Sequence, residues 1–171
     1  MLKEEIAASL ELAFSQYGFA EPSVAKLKTA CNVSLRTLYK HYPSKEAMIV
    51  AALAHRHQRY LTFLLEASPA DGIEFAVHIF HKLERWMKEH APHGCMSMNA
   101  IAAFPDNAMI NKAVKEHKEE VRRFLGEQSH RADLATALFL LHEGVSSAWP
   151  VLGKEAITSA QKTLLQLMEK N

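Results

Sequence analysis

The chain has little cysteine: Cys31 and Cys95 are the only two in 171 residues, in different segments and without paired spacing. That argues against a disulfide framework and fits reduced thiols in the cytosol. Long apolar runs are also missing. Nearly half the residues are hydrophobic, yet charged residues interrupt every run well short of the roughly 18 that a membrane span needs. The opening Met-Leu-Lys-Glu-Glu lacks the apolar stretch of a secretory signal, so the expectation is a soluble, cytoplasmic protein with no membrane partner. Strand-like alternation, internal repeats and low-complexity segments are absent, which excludes a β fold and a repeat array. No Gly-rich phosphate loop, Gly-x-Ser-x-Gly elbow, His-Glu-x-x-His or distinctive carboxylate pair occurs. The expectation is therefore no catalytic residues and no cofactor. Excess charge of one sign is missing too, the formal net charge being only +1.

What is present is distributed unevenly. Residues 1–60 carry eight Lys or Arg against five acids, giving +3, whereas the remainder carries twelve against fourteen, giving −2. The basic character belongs to an N-terminal head. Helical spacing organises the whole chain. Ile6, Leu10 and Phe14 predict a first helix that Gly18 stops. Ser23 is placed to cap a second helix from Val24 to about Cys31, and Ser34 a third from Leu35 to about Tyr42, with Asn32-Val33-Ser34 as the turn between them. In the third helix Leu38 and Tyr42 point inward, leaving Arg36, Thr37, Lys40 and His41 outward or flanking. Pro43 ends that helix, and Ser44 with Lys45-Glu46-Ala47 begins a long fourth one reaching about Glu66. Ser-Pro-Ala-Asp-Gly at 68–72 breaks the chain. Further helices are predicted from Ile73 to near Pro92, over a short stretch from Cys95 to Phe104, and over Asn107–Gln128, Ala132–Trp149 and Glu155–Glu169. The fold class expected is all-α: a three-helix helix-turn-helix head at 1–46 and a helical body at 47–171.

Two short amphipathic helices joined by a tight polar turn, in a stretch holding Lys26, Lys28, Arg36, Lys40 and Lys45, are the layout of a DNA-reading helix-turn-helix. The residues at 33–46, Val-Ser-Leu-Arg-Thr-Leu-Tyr-Lys-His-Tyr-Pro-Ser-Lys-Glu, carry a closer likeness. They resemble the signature of the tetracycline-repressor (TetR) family of bacterial transcriptional regulators, commonly Ala-Gly-Val-Ser-x-Gly-Thr-Leu-Tyr-x-His-Phe-x-Ser-Lys-Glu. Val33, Ser34, Thr37, Leu38, Tyr39, His41, Ser44, Lys45 and Glu46 match it, and Tyr42 replaces Phe. Asn32 stands where the turn usually has Gly, a substitution that a left-handed backbone tolerates. Arg36 replaces a frequent Gly, placing a bidentate donor near the groove with guanine its natural partner. Lys28 occupies a place usually held by a small Ala.

The resemblance implies that the third helix enters the major groove of double-stranded DNA. Ser34, Leu35, Arg36 and Lys40 would then lie at or near base edges, and Thr37, Tyr39, His41 and Lys45 at the phosphates. Lys45 also sits near the start of a helix, where amides point outward. Glu4 and Glu5 lie in the few residues before the first helix stripe, so no basic minor-groove arm is expected.

By the same resemblance the body senses a ligand and dimerises. Candidate pocket residues are Phe75, Ile79, Trp86, Met96, Met98, Phe104, Phe139 and His142, an apolar set suited to a hydrophobic or aromatic effector. Leu134, Leu138, Leu141, Val145 and Trp149 with Ile157, Leu164 and Met168 supply more apolar surface than a two-helix tail needs. They are the candidates for a homodimer interface, with two-fold symmetry and hence a palindromic operator. The function expected is a regulator, usually a repressor in this family, that leaves its operator when a small molecule binds. Two alternatives compete: a helical ligand-binding or scaffold protein keeping the head as packing, and a metal-responsive regulator using His78 with His81 or His90, His93 and Cys95. These donors complete no tetrahedral set, so no metal site is expected.

Overall fold

The computed structural model describes residues 2–70 and 72–169. Among them are nine α-helices and no strand: α1 (Leu2–Tyr17), α2 (Val24–Ala30), α3 (Leu35–His41), α4 (Lys45–Leu65), α5 (Gly72–His90), α6 (Met96–Ala103), α7 (Ala108–Gln128), α8 (Ala135–Leu152) and α9 (Lys154–Glu169). Apolar spacing and punctuating residues locate nearly every end. Gly18 adopts φ 72° behind α1, a left-handed conformation that costs glycine nothing. Both ends of α8 differ from expectation: Ala132–Leu134 form a single 3-10 turn, and the helix proper begins only at Ala135. Helix α8 does not stop before Pro150 but carries it in its last turn and ends at Gly153, whose N–H bonds to the Trp149 carbonyl at 2.9 Å. A proline so near the end forfeits one backbone bond without an interior kink.

The chain forms two compact units. The first comprises Met1–Arg59 and Met96–His117, the second Tyr60–Cys95 and Lys118–Asn171. Thus α6 and the first half of α7 group with the head helices, and α4 and α7 each run from one unit into the other.

The core of the first unit joins Ile6, Leu10 and Phe14 of α1 to Leu27, Leu38, and Met48, Ile49 and Leu53 of α4; Ala100, Ile110 and Val114 complete it from α6 and α7. Phe19 stacks on Phe14 with ring centroids 5.1 Å apart, closing the chain reversal after α1. In the second unit Phe75, Ile79, Phe80, Leu83 and Trp86 of α5 pack on Val121 and Leu125 of α7, Leu138 and Val145 of α8, and Ile157 and Leu164 of α9. Gly126 permits the close approach of α7 to α8, since a Cβ there would lie 2.6 Å from the Ala135 Cβ.

Candidate nucleic-acid interface

Two serines define the helix starts that the sequence assigned to them. The Ser23 hydroxyl accepts the Lys26 N–H at 3.2 Å, and the Ser34 hydroxyl accepts the Thr37 N–H at 3.0 Å while sharing a 2.8 Å hydrogen bond with the Thr37 hydroxyl. Each cap satisfies an amide that a helix terminus otherwise leaves open. Between the helices Asn32 takes φ 51°, the left-handed turn position where glycine is usual. Leu27 and Leu38 are wholly buried and pin α2 and α3 from their inner sides. Tyr42 closes α3, its hydroxyl donating to the Lys3 carbonyl at 2.9 Å. The Cys31 thiol is buried below the turn and donates to the Ile6 carbonyl at 3.8 Å; burial pushes it up to about 11.

With its inner side so fixed, α3 presents Leu35, Arg36, Tyr39 and Lys40 to solvent, with Thr37 and His41 half-buried beside them. Leu35 and Tyr39 are 46% and 42% exposed, so both side chains are open to contact from outside the head. Ser34 spends its hydroxyl on the cap. Lys45 is engaged as well: its ammonium donates to the Ala20 carbonyl at 2.8 Å and lies 5.9 Å from the Phe104 ring centroid. Burial holds this amine below the ordinary lysine range, Glu46 and Glu21 acting the other way. Lys26 covers the Tyr17 ring at 3.4 Å, and Lys28, at the position usually small, is half-buried.

A cluster that the sequence reading overlooked braces this head. Glu11 of α1 is 2% exposed and accepts from Arg59 at 2.7 Å, Arg56 at 3.2 Å and His55 Nδ1 at 2.6 Å, all on α4. Burial alone would raise its carboxyl, but the bonds from Arg59 and His55 and the charges of Arg59 and Arg56 hold it below the ordinary range. An acid one residue after Leu10, inside the apolar stripe, was the available signal.

The effector candidates divide between the units. Phe75, Ile79, Trp86, Phe139 and His142 lie in the second; Met96, Met98 and Phe104 lie in the first, where Met96 is core and Met98 is exposed. Phe75 and Ile79 border a cavity of about 10 Å³, room for a single water and not for an effector.

The dimer candidates prove to be the inner stripe of their helices. Leu138, Val145, Ile157, Leu164 and Met168 are buried in the second unit's own core, and Leu134, Leu141 and Trp149 pack partly against it. The stripe open to solvent is the neighbouring one. It holds Leu140, Val151, Leu152 and Leu165, beside a groove of about 230 Å³ bordered by Leu140, Gly144, Ala148 and Leu152 of α8 and Ser159 and Thr163 of α9.

Among the described residues no group of three or more His, Cys, Asp or Glu is placed to hold a metal ion. His78 Nε2 instead donates to the Leu64 carbonyl at 3.0 Å.

A second overlooked cluster is a polar chain inside the second unit. The buried Tyr60 hydroxyl lies 2.6 Å from His142 Nε2, and His142 Nδ1 lies 3.0 Å from Glu143. A carboxylate has no proton to give, so Nδ1 carries the hydrogen towards Glu143, while Nε2 and the Tyr60 hydroxyl share the second hydrogen bond. Glu143 accepts from the Lys118 ammonium at 2.8 and 2.7 Å, and that ammonium reaches the Cys95 sulfur at 3.3 Å. Burial would raise Glu143, but His142 and Lys118 push it down to about 2. Burial would likewise lower Lys118, yet Cys95 and Glu143 hold it above the ordinary lysine range.

Capped helices, a left-handed turn and a solvent-facing third helix define a helix-turn-helix head carried on an all-helical body. Residues 6–52 match the sequence model of the bacterial regulatory proteins of the tetR family. The HTH-type transcriptional regulator UidR of Escherichia coli is 25% identical over 119 residues, which span 70% of this chain and 60% of UidR. A TetR-family regulator from Streptomyces coelicolor has the same fold, with a TM-score of 0.79 at 18% identity over 98% of this chain and 96% of that one. NemR of Escherichia coli in its reduced form follows with 0.75 at 21% identity, over 97% and 96% of the two chains. The head thus matches the tetR-family sequence model, and the whole chain shares the fold of solved TetR-family regulators. Among the described residues no helix is long and apolar enough to cross a membrane.

Proposed function

We propose that this protein binds double-stranded DNA through α3 and regulates transcription from a palindromic operator as a homodimer. The observation that carries the reading is the display of Leu35, Arg36, Tyr39 and Lys40 on a helix whose opposite side is anchored by the buried Leu38. Arg36 is suited to a guanine edge and Lys40 to a base edge or phosphate, with Thr37, Tyr39 and His41 flanking. Lys45 reaches a phosphate once its ammonium turns from the Ala20 carbonyl. Residues 1–46 are the DNA-contacting segment in this reading, and 47–171 the sensing and dimerising one.

The homodimer forms through the outward stripe of α8 and α9, where Leu140 is 64% exposed and Val151 85%. Two copies related by a two-fold axis would cover these side chains and set the two recognition helices on a symmetric site. Release by a small-molecule effector, and repression as the outcome of binding, rest on the family resemblance. Trp86, Phe139 and His142 are the body residues proposed to meet such a compound.

The test is selection of random duplex DNA on the purified protein at near-physiological salt, followed by sequencing. Recovery of a two-fold symmetric consensus is the expected result. Retention without a consensus, or none, would favour the scaffold alternative.

A further inference from the structure

Residues 34–37 open α3, and the structure divides their side chains into two pairs. Ser34 and Thr37 are engaged with each other, the Ser34 hydroxyl accepting the Thr37 N–H at 3.0 Å and sharing a 2.8 Å hydrogen bond with the Thr37 hydroxyl. Leu35 and Arg36 face outward instead, and Leu35 is 46% exposed whereas Leu38 on the same helix is wholly buried. The start of the helix therefore offers one apolar and one cationic side chain, side by side, and keeps its two hydroxyls for its own cap.

An apolar side chain at that place has one natural counterpart on double-stranded DNA. Leu35 carries no donor or acceptor, so it can neither hold a phosphate nor hydrogen-bond a base edge. Along the major groove every base pair presents donors and acceptors, and only thymine adds an apolar group, its C5-methyl. The guanine that Arg36 suits is paired with cytosine, so the base pair it reads contains no thymine. Neighbouring residues advance about 1.5 Å along a helix and base pairs about 3.4 Å along the duplex, which puts a methyl on the next base pair within reach of Leu35.

We propose that Leu35 is a specificity-determining residue of the DNA site, packing on the C5-methyl of a thymine in the base pair adjacent to the guanine read by Arg36. Each half-site of the operator then contains a thymine next to a guanine–cytosine pair. Cytosine is rejected at the thymine position, because it lacks the methyl and presents an amino group where thymine presents a carbonyl. Uracil is rejected too, although it keeps every donor and acceptor of thymine and lacks only the methyl. The inference rests on the DNA-binding reading above and adds to it the base that one side chain selects.

The probe is the duplex recovered by selection, remade with deoxyuridine in place of one thymidine at a time, with binding measured by anisotropy. The expected result is one uracil-sensitive position per half-site, beside the guanine whose preference Arg36→Ala relaxes. Affinity should fall there about fourfold, the worth of burying one methyl group. Leu35→Ala should bind the thymine and uracil duplexes alike, and Leu35→Met should keep part of the difference. Both variants should match the parent in circular dichroism and melting temperature, since the side chain lies outside the core. Selection repeated on Leu35→Ala should lose the thymine and keep the guanine. Tight operator binding with no uracil-sensitive thymine, or with the sensitive one further than the adjacent base pair, overturns the inference. So does a Leu35→Ala protein that prefers thymine over uracil by the same factor as the parent. Retention of no duplex by the parent protein would strike the DNA-binding reading itself, and this inference with it.

Discussion

Glu11 on α1 accepts a 2.7 Å hydrogen bond from Arg59 on α4, across a face that otherwise consists of Ile6, Leu10, Phe14 and Leu53. A buried carboxylate among three basic side chains fixes the rotation of α1 on α4, because no other register satisfies all of them. Removing it takes away the acceptor that the three side chains share. Glu11→Ala should destabilise the protein by about 3 kcal/mol, the usual penalty for breaking one side of a buried pair. Urea melts at pH 7 measure this directly, and a change under 1 kcal/mol would show that Arg56 and Arg59 find water instead.

The same carboxylates set an acid limit. Glu11 and Glu143 both have folded values below the unfolded value of 4.5, Glu143 at about 2. For depressed acids the stabilisation is present above the unfolded value and lost as pH falls through the folded one. Stability should therefore be flat with respect to these groups above about pH 5 and fall between about pH 4.5 and pH 2. Glu143→Gln should flatten that part of the curve, as read from melting temperature against pH.

Arg36 and Lys40 are exposed, so their removal tests recognition without disturbing the fold. Arg36→Ala should weaken binding to the selected operator by about 1–3 kcal/mol and relax the sequence preference at one position of each half-site. If Lys40 meets a phosphate, Lys40→Ala should weaken all duplexes alike and lower the salt slope by about 1. Anisotropy titrations across salt concentrations separate the two outcomes.

Asn32 at φ 51° gives a backbone test of the turn. Asn32→Gly should be neutral or mildly stabilising, whereas Asn32→Val should cost about 1–2 kcal/mol, since a β-branched residue resists the left-handed region. Thermal melts decide it.

Leu140 points outward from α8 while Leu138, two residues away, is buried. Leu140→Glu should yield a monomer by light scattering with its helical content intact, whereas Leu138→Ala should cost about 2–5 kcal/mol in subunit stability. A dimer that survives Leu140→Glu would move the interface elsewhere.

Most of the fold was legible in the sequence because its signals are local. Ser23, Ser34, Gly18 and Asn32 act within one helical turn of themselves, and each appears where its chemistry placed it. The inner and outer stripes of α8 were harder to separate, because Phe139, Leu140 and Leu141 are consecutive and apolar, so a helical period alone fits more than one face. The polar chain was not legible. Its Lys118–Cys95 and Tyr60–His142 contacts join residues 23 and 82 positions apart, and nothing in the local pattern of either residue announces the other.

The threefold passage of the chain between its units has a practical consequence for anyone dissecting the molecule. A gene fragment encoding only the first 59 residues would lack Met96, Ala100, Ile110 and Val114, which share a core with Leu10, Leu38 and Ile49. The reading head is therefore not a detachable cassette. Grafting it onto another sensor, or expressing it alone, would require carrying α6 and the first half of α7 along and rejoining their ends.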